Sequence, residues 1–127
     1  MLRLLLVCAA GAVGTGLRYL ISLATPRLLG AAFPWATLLI NVAGSFVLAA
    51  VMFLGSQTTA ISPTARVALG TGLCGGFTTY STFNYETMKL IEDRAFGLAA
   101  ANVAGTLLAC LAAGYLGWAA ARLAFAH

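Results

Sequence analysis

Four stretches, approximately Leu4 to Ala24, Ala36 to Leu54, Val67 to Ile91 and Phe96 to Phe125, are apolar and long enough to cross a bilayer, and they use nearly the whole chain. The hydrocarbon core is about 30 Å thick and takes roughly 20 apolar residues per helical crossing. No water is present there to satisfy bare amides and carbonyls, so each crossing has to close its own hydrogen bonds as a helix. With 61% of its 127 residues hydrophobic and only 8% charged, and a mean hydropathy of +0.96, the chain carries more apolar surface than a soluble domain of this size can hide. The expectation is an all-α membrane protein, a single four-helix transmembrane domain over residues 1–127.

Arg3 followed by Leu4–Ala10 has the look of a secretory signal. The apolar run continues past Gly16 without a small-x-small cleavage pattern, and Val7 before Cys8 spoils a lipoprotein motif. The segment reads as a retained first helix. Cys8, Cys74 and Cys110 are odd in number, widely spaced and set in apolar stretches, so they read as small packing residues rather than a disulfide framework or a metal pair. One histidine and three carboxylates leave almost no material for a catalytic centre, and no enzyme is expected.

An even number of crossings puts both termini on one side. Arg3, Arg66 and Arg122 then share one face, and Arg27, Lys89 and Arg94 the other. Orientation normally follows an excess of Lys and Arg in the cytoplasmic loops, and three against three offers none. Such a chain can insert both ways and pair as an antiparallel, dual-topology homodimer; the alternative is that Arg18, inside the first helix, or a partner sets one orientation. Membrane lipids are expected neighbours, and nucleic acid is not an expected partner. A weak repetition, Gly14–Leu17 with Gly70–Leu73 and Asn41–Ser45 with Asn102–Thr106, points to helices two and four each needing an asparagine and a hydroxyl at matching depth.

The third stretch is the least uniform. Gly70, Gly72, Gly75 and Gly76 lie in it, each disfavouring a helix by about 1 kcal/mol relative to Ala. Thr78, Thr79, Ser81 and Thr82 can satisfy the groups that a break releases. A third helix broken in mid-membrane exposes carbonyls that hold a cation and amide dipoles that receive an anion. Close packing through small residues accounts for the glycines but not for the aromatics alternating with hydroxyls. The GxGxxG match at Gly70–Gly75 is rejected, because that fingerprint needs a strand and a soluble βαβ unit.

On the second stretch Thr37, Asn41 and Ser45, and on the fourth Asn102, Thr106 and Cys110, recur every four residues and make two polar stripes. One stripe is explained by interhelical hydrogen bonds; two stripes beside a polar third helix favour a wet or ion-occupied path. Its lining offers amide and hydroxyl hydrogens and electropositive ring edges, and lacks the carboxylate rings of a cation pore. Glu86, Glu92 and Asp93 all sit near the end of the third stretch. An intramembrane Arg18 is functional by default, or else close enough to a helix end to snorkel. A small multidrug or cation exporter wants a membrane carboxylate that is missing here, and a non-transporting helical subunit is the other alternative.

The segments Gly11–Tyr19, Thr37–Phe46 and Gly72–Phe83 together resemble the Fluc (CrcB) fluoride channels of bacteria and other microbes, in order and over essentially the whole chain. The resemblance implies a passive fluoride-selective channel in the inner (plasma) membrane that exports fluoride and protects the cell, built as an antiparallel dual-topology dimer with two pores. It implies a structural sodium ion at the dimer centre, held by the carbonyls of Gly75 and Thr78. Asn41 becomes the pore asparagine, Tyr80 and Phe83 the aromatic pair, Ser81 and Thr82 hydroxyls near the path, and Asn102 and Thr106 the fourth-helix track. Glu86 also matches a family position. Tyr80 departs from the usual phenylalanine: it keeps the electropositive edge and adds a hydroxyl.

Overall fold

The computed structural model describes residues 1–125, and among them helix is the regular structure present, without a strand. Three helices are long and apolar enough to cross a membrane: α1 (Leu2–Leu29), α2 (Trp35–Gln57) and α6 (Phe96–Phe125). Helix α1 stops where Pro26 removes an amide in its last turn and Gly30, at φ 83°, turns the chain away while its N–H caps the Pro26 carbonyl at 3.1 Å. A short bend then leads into α2.

The remaining helical region is assembled from pieces. Ser62 starts α3 (Pro63–Val67) by accepting the Ala65 N–H at 3.1 Å, with Pro63 in the first turn. The helix widens to π geometry over Ala68–Cys74, and a short α4 (Gly75–Phe77) follows. Thr78 (φ −78°, ψ 159°) and Thr79 (φ −153°, ψ 119°) are extended. Thr79 then caps α5 (Tyr80–Glu92) by accepting the Thr82 N–H at 3.2 Å. The non-helical residues therefore fall just after the four glycines of this region, not at them.

Two of those glycines, Gly72 and Gly76, serve close approach instead. A Cβ on Gly72 would lie 2.7 Å from the Val7 carbonyl oxygen, and one on Gly76 would run into the Gly11 carbonyl. Gly14 of α1 is equally tight against the Leu73 carbonyl. The register Val7 to Gly14 against Gly72 to Phe77 makes α1 run parallel to the π segment and α4, backbone nearly touching backbone. Helices α2 and α6 are also parallel: Gly117 abuts Phe46, and the ends of both helices share a cleft. Arg3, Arg66 and Arg122 consequently stand at one end of the molecule, and Arg27, Lys89, Arg94 and the three acids at the other.

Burial is inverted relative to a soluble protein. Asn102 is fully buried and Thr37 and Thr106 nearly so, while Leu5, Leu20, Leu107, Leu108 and Leu111 are exposed. Polar groups that must find partners lie inside, and the outer faces of α1 and α6 are left to lipid.

Candidate functional site

The site is built around the extended residues between α4 and α5. Asn41, on α2, reaches them with its whole side-chain amide: Nδ2 donates to the Thr79 carbonyl at 3.0 Å, and Oδ1 accepts the Thr79 N–H at 2.8 Å. Only one orientation of the amide satisfies both bonds. The Thr79 N–H is the group that would have closed a helical bond on the Gly75 carbonyl. Likewise the Thr82 N–H, which would have bonded Thr78, is taken by Thr79 Oγ1. Both carbonyls are thereby released from the helix. Gly75 is exposed and Thr78 half-buried. Hard carbonyl oxygens freed in this way fit the coordination of a hard monovalent cation.

Beside this clamp lies a groove of about 460 Å³ between α2, α5 and α6. Asn41 and Ser45 line it from α2, Tyr80 and Phe83 from α5, and Thr106 and Cys110 from α6. No charged side chain lines it. The Tyr80 and Phe83 rings are 5.7 Å apart at 48°, so their edges, where the positive part of the quadrupole lies, are offset rather than stacked face to face. Tyr80 is 80% exposed, so little of its ring is covered by the rest of the chain. The second Nδ2 hydrogen of Asn41, the Ser45 hydroxyl and these ring edges make a lining of weak donors without a fixed charge, suited to an anion passing rather than staying.

The two polar stripes do not stay on one path. Thr37 is buried and belongs to the neighbouring cavities, with Ser22 and Thr82. Asn102 does not line the groove: its Nδ2 donates to Thr87 Oγ1 at 2.9 Å, Thr87 donates to the Phe83 carbonyl at 2.8 Å, and Thr106 Oγ1 donates to Asn102 Oδ1 at 3.4 Å. Asn102 is a buried strut that ties α6 to the turn of α5 carrying Phe83. Ser81 is exposed and borders none of the larger concavities. Arg18 is half-buried beside Thr15, Tyr19, Ser22, Thr79 and Thr82 in a cavity of about 200 Å³. Glu86 is half-buried in a larger cavity of about 570 Å³ that it shares with Lys89 and Thr37, and its Oε2 has no hydrogen-bond partner.

Two contacts of predicted site residues escape sequence reasoning, that of Asn41 with Thr79 and that of Asn102 with Thr87. Thr79 and Thr87 are both buried hydroxyls, at 8% exposure each, and each holds the partner of a predicted site residue. Sequence reasoning names Thr79 among the hydroxyls that can satisfy a break, as it does for the Thr82 N–H, but gives no sign of its tie to Asn41; Thr87 follows Phe83 by four residues, the one available signal that it can return a bond to that carbonyl.

A profile of the family described as "CrcB-like protein, Camphor Resistance (CrcB)" matches residues 5–118. Curated relatives named "Fluoride-specific ion channel FluC" include one from Anaeromyxobacter dehalogenans, 51% identical over 91% of both chains. Those from Sorangium cellulosum and Geobacter sulfurreducens are 49% identical over 88% of both chains, and 43% identical over 96% of this chain and 98% of the relative. Similarity of this extent covers the clamp at Asn41, the groove and the glycine contacts alike, and by it the chain belongs to the CrcB family.

Proposed function

We propose that the protein is a passive, fluoride-selective channel that exports fluoride across the inner (plasma) membrane and so protects the cell from its toxicity. The observation that carries this reading is the uncharged groove that gathers Asn41, Ser45, Tyr80, Phe83 and Thr106, in a chain half identical to a protein named as a fluoride-specific channel. Fluoride is small and strongly hydrated. An isolated ion in low dielectric costs tens of kcal/mol, so a path for it has to present many donors as water is shed. Amide, hydroxyl and ring-edge hydrogens do so without a carboxylate to repel it.

The working unit is an antiparallel, dual-topology homodimer, with the region from Pro63 to Glu92 as the third of four crossings, broken in mid-membrane at Thr78 and Thr79. Support comes from the even split of cations between the two ends and from the exposure of Tyr80 and Gly75, which a second protomer would cover. A structural sodium ion on the dimer axis would be held by the released carbonyls of Gly75 and Thr78. When bound it supplies a fixed positive charge close to the path.

Efflux from liposomes containing only this protein tests the reading. Fluoride is expected to leave rapidly and chloride to stay. Equal release of both ions, or release of neither, overturns it, and a proton flux driven by an organic cation would point to an exporter.

A further inference from the structure

At the end of the α2–α6 seam opposite Glu86, Glu92 and Asp93 lies a second concavity that the channel reading leaves unused. It is a cleft of about 760 Å³ where the last turns of α2 and α6 separate. Met52, Phe53 and Trp118 line it as an apolar floor, and Ser56, Gln57 and Arg122 bring polar atoms to it. The Arg122 guanidinium carbon stands 5.3 Å from the Trp118 ring centroid, and that ring meets Phe53 edge-on at 5.9 Å and 89°. The Ser56 hydroxyl is occupied by the Met52 carbonyl of its own helix, at 2.7 Å. Arg122 is the only charged side chain lining the cleft, and among the described residues the ion pairs are those of Lys89.

We propose that this cleft binds an anionic phospholipid, its phosphate at Arg122 and its acyl chains along Met52, Phe53 and Trp118. Charge complementarity argues for this occupant. The end of the molecule that bears the cleft carries Arg3, Arg66 and Arg122 and no aspartate or glutamate, whereas Arg27, Lys89 and Arg94 at the other end are matched by Glu86, Glu92 and Asp93. Depth agrees. The 30 residues of α6 extend about 45 Å, against a hydrocarbon core of about 30 Å, so its last turn stands at the headgroups. An indole belongs at that level, and a guanidinium forks onto a phosphate. An apolar floor beneath a single cation matches a lipid, not a free anion. The inference rests on the chain being embedded in a membrane and not on which ion it passes.

The two tryptophans, Trp35 and Trp118, lie at opposite ends, so a Trp35→Phe protein in neutral detergent reports on the cleft alone. Brominated phosphatidylglycerol is expected to quench Trp118 with about fivefold preference over brominated phosphatidylcholine, the factor one headgroup charge contributes. Arg122→Gln should abolish that preference, Arg122→Lys should keep it, and Arg27→Gln should leave it untouched. In the unsubstituted-arginine protein, added salt should weaken it and inorganic phosphate at matched ionic strength should do no more than salt. Equal quenching by the two lipids, a preference that survives Arg122→Gln, specific displacement by inorganic phosphate, or a Trp118 that neither lipid quenches because a second copy covers it, each overturns the proposal.

Discussion

Asn41 binds Thr79 through both its amide oxygen and its amide nitrogen, at 2.8 and 3.0 Å, as one strand residue would bind another. This side chain supplies the acceptor that the Thr79 N–H would have found in a helix, and so leaves the carbonyl of Gly75 free. One residue thus sets the shape of the interruption and also borders the groove beside it.

Asn41→Ala removes both bonds and leaves the Thr79 N–H without a partner, at a cost of about 1 to 3 kcal/mol. Thermal unfolding in detergent should show the loss, and fluoride efflux should fall to background. Asn41→Asp keeps the acceptor for the Thr79 N–H but loses the donor and introduces a negative charge. It should fold better than Asn41→Ala and still fail to pass fluoride.

The strut from Asn102 to Thr87 to the Phe83 carbonyl should behave as a unit. Asn102→Leu and Thr87→Val each break it, and a double-mutant cycle on stability should give a coupling of about 0.6 to 1.7 kcal/mol, the range for polar pairs between membrane helices. Thr87→Ser retains the hydroxyl and should retain flux. Additive effects of the two substitutions would mean that the chain of bonds does not act together.

Tyr80→Phe removes the phenolic hydroxyl while leaving the ring next to Phe83, whose centroid is 5.7 Å away. Loss of one hydrogen bond to the charged ion is worth about 1.5 to 3 kcal/mol, or roughly ten- to a hundredfold in rate. Efflux should change by no more than that, with selectivity against chloride unaltered. Phe83→Ala removes the ring edge and should lower flux much further.

Gly117→Ala pushes a methyl group into the Phe46 carbonyl, whereas a Cβ at Gly105 of the same helix meets nothing within 4 Å. The first should cost about 1 to 3 kcal/mol from overpacking and lower the yield of folded protein. The second should be neutral, or stabilising by up to about 1 kcal/mol through helix propensity. Similar yields from the two variants would contradict the parallel packing of α2 on α6.

The membrane class and three long helices were legible directly, because length and hydropathy of a lipid crossing depend on the run of residues and hardly on what it packs against. The polar third stretch was legible as unusual, and so were Asn41, Tyr80, Phe83 and Thr106, which the fold gathers into one groove. Residue spacing places side chains on a face of one helix but is silent on which neighbour that face meets. Only tertiary contacts therefore turned Asn102 away from the groove toward Thr87, assigned Gly72 and Gly76 to the approach of α1 rather than to the interruption, and put the extended residues at Thr78 and Thr79, where a side chain distant in sequence accepts the amide hydrogen that a helix would otherwise have bound.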